Sequence, residues 1–172
     1  MNYRFQPSVP IDYKGHPTLI SSGNSPHADQ SVYLIINEDE CDYNERVFEI
    51  KFEYSSTFSG ALLVDDLLAI GYENFFCLFD IASNEVVLWL EMEWYFGYLY
   101  YNNDIFYVAD AWKIISVMRD GTIIWKSDVI GFDGVVIDKF TEDSIYGQGE
   151  HDPPGGWKDF ILDIKTGKTL TI

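Results

Sequence analysis

Cysteine, histidine and positive charge are all scarce in this 172-residue chain, which has two cysteines, three histidines and 11 lysines and arginines against 28 aspartates and glutamates. Cys41 lies in an acidic stretch and Cys77 in an apolar run, so the pair makes no disulfide framework and suits a reducing compartment. The N-terminal MNYRFQPSVPIDYKGHPT has no apolar run after Arg4, which argues against a secretory signal. No uninterrupted apolar stretch approaches the roughly 18 residues of a membrane span. A cytoplasmic protein without membrane contact is therefore expected. Catalytic and cofactor signatures are missing as well. There is no GxSxG around any serine, no HExxH, no Cys/His zinc spacing and no glycine-rich phosphate cradle, since GQG at 147–149 is not followed by a helical pattern. The expectation is a chain that is not an enzyme and needs neither cofactor nor metal.

The missing positive charge is itself informative. A formal net charge of -17 repels nucleic acid and anionic lipid and attracts cations or a basic protein. It also keeps an aromatic-rich chain in solution. Hydrophobic residues make up 47% and aromatics 17%, too apolar for disorder, and the length suits one domain over residues 1–172.

Helical periodicity is absent and strand patterns take its place. Residues 1–30, rich in Pro, Ser, Gly and Asn, read as an arm over the surface with strand character at Tyr3–Phe5. Residues 31–58 read as a partial blade. SVYLIIN is a strand, EDECDYNER a loop, and in VFEIKFEY the residues Phe48, Ile50, Phe52 and Tyr54 alternate with Glu49, Lys51 and Glu53, one dry face and one wet. The remainder repeats. Gly60, Gly97 and Gly134 fall 37 residues apart and each opens an apolar run, giving copies at 59–95, 96–132 and 133–172. Each copy shows four short strands with tight turns at polar clusters such as Asp65-Asp66, Glu73-Asn74, Asn102-Asn103-Asp104 and Glu142-Asp143. The fold class expected is all-β, with antiparallel four-stranded meander repeats stacked as an incomplete (half) β-propeller or a distorted β-sandwich, because three copies and a partial one are too few for a typical closed ring.

FFCLFDIASNEVVLW (75–89) and DFILDIKTGKTL (159–170) resemble the blade repeat of quinoprotein-type propellers. In that repeat a strand ends in Asp, a turn follows and a strand ending in Trp closes the blade. Asp80, Asp120 and Asp163 stand at the turn-opening position and Trp89 and Trp125 at the closing one, where Leu170 departs from the pattern. The resemblance implies architecture and no quinone chemistry. GQGEHDPPGGWKDFILDIKTG is similar to the C-terminal stretch of small bacterial blade-repeat proteins. In size, acidity and want of a signal peptide the chain is also similar to immunity proteins of contact-dependent growth inhibition toxin systems. That likeness implies a monomeric inhibitor of a basic, nuclease-type toxin domain.

Three groups of residues are candidates for partner contact. The acidic run Glu38, Asp39, Glu40, Asp42 and Glu45 can meet lysines and arginines, or be a solvated loop, and it lacks the order and glycine of an EF-hand. Asp104, Asp110, Asp133 and Asp138 stand at strand ends near Trp94, Tyr95, Tyr100, Trp112 and Phe132, where stacked copies would collect carboxylates and aromatic rings at one rim. Such a rim suits a cationic protein surface, and equally a sugar cleft of a carboxylate-based glycoside hydrolase or lyase. Glu150, His151 and Asp152, followed by Pro153-Pro154-Gly155-Gly156 and Trp157, read as an insertion loop, either a partner-binding loop or one whose tryptophan packs over a sheet end. A non-catalytic interaction module in a larger assembly is the alternative to inhibition.

Overall fold

The computed structural model describes residues 2–21, 30–37, 45–52, 57–151 and 155–170. Every regular element among them is a strand, and none is a helix long and apolar enough to cross a membrane. The chain divides into two compact units, Met1–Thr57 and Phe58–Ile172.

The first unit is one four-stranded sheet of β1 (Asn2–Gln6), β2 (Thr18–Ile20), β3 (Gln30–Asn37) and β4 (Arg46–Phe52), in the order β1-β3-β4-β2. The alternation read in VFEIKFEY is realised over its described part. Phe48, Ile50 and Phe52 are buried, while Glu49 and Lys51 face outward with a 3.0 Å ion pair and Ser31 donates to Glu49 at 2.7 Å. These contacts, the Ser31 hydrogen bond first, hold the Glu49 carboxyl below its ordinary value. Residues 1–30 do more than lie over the surface. β1 pairs antiparallel with β3 and β2 pairs parallel with β4, which supplies ladder partners to backbone groups that would otherwise be open edges. The parallel pairing makes this sheet mixed.

The second unit carries the repeats as three meander sheets. They are β5 (Ser59–Val64), β6 (Leu67–Tyr72), β7 (Phe75–Asp80) and β8 (Glu85–Glu91); β9 (Phe96–Asn102), β10 (Ile105–Asp110), β11 (Ile114–Met118) and β12 (Ile123–Lys126); and β13 (Gly134–Phe140), β14 (Ser144–His151) and β15 (Gly156–Asp163). The first strands β5, β9 and β13 lie side by side, so the sheets stack as in part of a propeller. One core, with Phe76, Leu78, Phe96, Phe106 and Val117, fills the space between the first and second sheets. Another, with Tyr107, Trp125, Val135, Ile145 and Phe160, fills the space between the second and third. Both faces of the middle sheet are buried, which is why β10 is an unbroken hydrophobic run from Ile105 to Ala109 before Asp110 ends it. The 37-residue glycines open the first strand of each sheet, and a Cβ at Gly60 would stand 3.0 Å from the Phe96 ring of the next sheet.

The third copy departs from four strands. Beyond the turn after β15, Thr169 makes a single bridge to Leu162 and Leu170 N–H donates to Ile161 at 2.8 Å, so one bridge stands where a ladder was expected. The described residues on either side of that copy's insertion are strand, up to His151 and from Gly156. Its flanks continue the ladder, with Glu150 opposite Trp157 and His151 opposite Gly156.

Candidate functional site

A meander sends successive turns to alternate ends of its sheet, and the three sheets of the second unit stack with like ends together. At one end lie short turns opened by aspartates. Asp80 Oδ1 accepts the N–H groups of Ala82 and Ser83 at 2.8 and 3.0 Å, and Asp163 Oδ1 accepts those of Lys165 and Thr166 at 3.1 and 2.8 Å. These are Asx turns, so both carboxylates serve the backbone. Arg119 ties this end together, reaching Asp65 at 2.6 Å and Asp104 at 3.4 Å, while Tyr101 donates to Asp104 at 2.8 Å. Asp104 therefore belongs to a structural clamp and not to the aromatic rim in which the sequence placed it. The two-residue turn Asn103-Asp104, with both residues at positive φ, directs it to this end.

The opposite end gathers the aromatic residues. Trp94, between β8 and β9, lies against Trp112, between β10 and β11, with ring centroids 4.5 Å apart. Trp112 is anchored twice: its indole Nε1 donates to the Phe132 carbonyl at 3.0 Å, and its own carbonyl accepts the N–H groups of Ile130 and Gly131 at 2.8 and 3.2 Å. Phe132 in turn meets the His151 ring edge-on at 5.2 Å and donates its N–H to the Glu150 carbonyl at 2.6 Å. The segment 130–132 can press this close because Gly149 has no Cβ to collide with the Ile130 carbonyl. Trp157 stands on the far side of Gly134, where an added Cβ would be 3.4 Å from its ring. Trp94, Phe132 and Trp157 remain 43%, 51% and 48% exposed. So much open aromatic area at one end of a sheet stack is unusual for a surface with no partner.

Carboxylates are interleaved with these rings. Tyr95 stacks on Phe58 at 5.7 Å, and its hydroxyl lies 2.5 Å from the Asp133 carbonyl and 2.9 Å from Asp133 Oδ1. Burial first, then the Asp133 hydrogen bond and the charges of Asp133, Glu150 and Asp110, push the Tyr95 phenol up to about 12. Asp110 is 1% exposed. Its Oδ1 accepts the N–H groups of Trp112 and Lys113, both at 2.7 Å, while its Oδ2 has no partner. Desolvation raises its carboxyl above the ordinary range, against the opposing pull of those two N–H groups and the Lys113 charge. Lys113 itself pairs with Glu93 at 3.0 Å.

Of the residues singled out from the sequence, Trp94, Tyr95, Asp110, Trp112, Asp133, Glu150, His151 and Trp157 thus meet at one rim. Asp138 is exposed within β13 beside a register shift between Ile137 and Lys139, apart from the rim. Glu38, Asp39, Glu40, Asp42 and Asp152 lie outside the described residues. Glu93, Lys113 and Phe58 join the rim without having been singled out. The Glu93-Trp94 adjacency was the available signal for the first, whereas Phe58 is placed by tertiary ring contacts that include Tyr95 and Tyr98. Among the described residues no group of three or more His, Cys, Asp or Glu side chains is disposed to hold a metal ion. The rim offers flat aromatic area, negative charge and one desolvated carboxylate.

No protein-family model matches the chain, and no curated protein matches its sequence. Among solved structures it is similar to the computationally designed Ika4 protein, at 11% identity and a TM-score of 0.52, covering 64% of this chain and 68% of that one. It is also similar to the computationally designed Ika8 protein, at 11% identity and a TM-score of 0.56, covering 82% of this chain and 45% of that one. The chain thus spans under half the length of the second, and at such identity the likeness is one of fold alone.

Proposed function

We propose that this protein is an acidic inhibitor that binds a basic protein domain through the aromatic and carboxylate rim, acting as a cytoplasmic immunity protein against a nuclease-type toxin. The observation that carries the reading is the joining of exposed Trp94, Phe132 and Trp157 to Asp133 and Glu150 on a chain of net charge -17. Aromatic anchors are what protein interfaces use for affinity, and a carboxylate field steers a cationic surface toward them. A nuclease needs positive charge to hold its phosphate substrate, and a polyanionic rim can occupy that groove. Inhibition is by occupancy and involves no turnover.

The test is titration of a basic nuclease toxin domain, ideally the product of the gene next to this one, with the full chain at low and high salt. Stoichiometric loss of nuclease activity is expected, with an affinity falling at least about tenfold between 50 and 300 mM salt. Binding that ignores ionic strength would overturn the electrostatic reading. A stable complex in which the nuclease stays active would reassign the rim to a non-catalytic interaction module.

A further inference from the structure

Among the described residues, most cations near a carboxylate are already committed: Arg4 to Glu45, Lys51 to Glu49, Lys113 to Glu93 and Arg119 to Asp65. The rim is different. Asp133 spends only Oδ1 on Tyr95, and its Oδ2, like the whole Glu150 side chain, has no hydrogen bond or ion pair among the described residues. Beneath them the buried Asp110 holds an oxygen with no partner. Trp94 lies open at the same end of the sheet stack, backed by Trp112, whose indole is pinned to the Phe132 carbonyl. An indole pair on a rim that also carries uncompensated carboxylates suits a cation that is flat as well as charged.

We infer that the Trp94–Trp112 pair is the seat of an arginine side chain from the partner, its guanidinium lying on the Trp94 ring with Asp133 and Glu150 as counter-charges. This rests on the proposed function for the partner being a basic protein and adds which side chain the rim selects. Arginine is favoured over lysine for two reasons. Its planar, weakly hydrated guanidinium stacks on an indole while donating along its edge to carboxylates, whereas a lysine ammonium keeps its water and offers no plane. Pre-organisation adds to this, since Trp112 is already fixed by the backbone and little side-chain freedom remains to be lost on binding.

The experiment titrates the full chain with N-acetyl-arginine amide and its lysine and citrulline counterparts, following the tryptophan indole N–H resonances, with Trp94 assigned through Trp94→Phe. A saturable shift of the Trp94 signal with arginine is expected, at least about threefold weaker with lysine and absent with the neutral citrulline. Asp133→Asn with Glu150→Gln should weaken the arginine response about threefold or more while leaving the resonances of unbound protein dispersed. Trp94→Ala should abolish it and Trp94→Phe retain part of it. Equal responses to citrulline, or arginine shifts that spare Trp94, would overturn the inference. A basic nuclease bound equally well by Trp94→Ala would remove the seat and leave the inhibitor reading standing. Arginine binding at Trp94 in a protein that inhibits no nuclease would do the reverse.

Discussion

Asp110 holds a carboxylate where burial opposes charge, because its Oδ1 is the acceptor that closes the turn at Trp112 and Lys113. Since its folded value is raised, the folded protein binds its proton more tightly than the unfolded chain does. The resulting stability is fully present below the ordinary value of 3.8 and is lost as pH rises through the raised value. Asp110→Asn keeps the turn acceptor and removes the charge, so its urea-denaturation stability should lack this decline and exceed that of the parent by about 1 kcal/mol at neutral pH. Asp110→Ala removes the acceptor too and should cost about 1–3 kcal/mol, measured the same way. Asp110 was legible as a strand-end acid, but its burial was not. Whether a strand-end carboxylate ends in water or is buried against its own turn depends on how the chain packs around it. Asp104 shows the same limit, being chemically indistinguishable from Asp133 in sequence yet directed to the other end by one two-residue turn.

At the scale of strands and turns, steric fit between neighbouring sheets decides which glycines matter. Gly71 in β6 lies under the buried Phe96 ring, and any Cβ there would run into it. Gly71→Ala should therefore lower stability by about 1–3 kcal/mol through overpacking, read as a drop in the denaturation midpoint at unchanged slope. Gly167 has a second reason. Its φ of +68° is left-handed, and its open side receives the Trp125 ring, whose Nε1 donates to Ile164 at 3.0 Å. Gly167→Ala should cost about 1–2 kcal/mol from the backbone alone and more from the displaced ring, and should shift tryptophan fluorescence. The turns themselves were readable, because polar clusters between apolar runs admit few alternatives: those at 65–66 and 73–74 stand as expected, and the one expected over 102–104 is the pair 103–104, with Asn102 still in its strand. The strands from residues 1–30 and the extension of β14 to His151 were less readable. Pro- and Gly-rich stretches carry little periodicity, and the pairing that makes them strands is supplied by a partner edge.

For the molecule as a whole, net charge dominates behaviour that no single contact explains. At -17 the folded chain repels itself, and screening relieves that repulsion in the compact state more than in the expanded one. Raising salt from about 20 to about 500 mM should raise the midpoint of thermal unfolding by a few degrees in calorimetry, opposite in sign to its effect on binding a basic partner. The sequence by itself determined the all-β class, the repeat of about 37 residues, the turns and the acidity, because alternation, glycine spacing and charge are local or additive. The gathering of Trp94, Trp112, Phe132 and Asp133 at one rim was expected from the repeat; only the tertiary structure decided that Glu150 and Trp157 join them, that Asp104 leaves, and that Asp110 is buried. Those relations depend on how separate sheets stack and in which register their strands pair, and such distances between residues remote in sequence are set by packing.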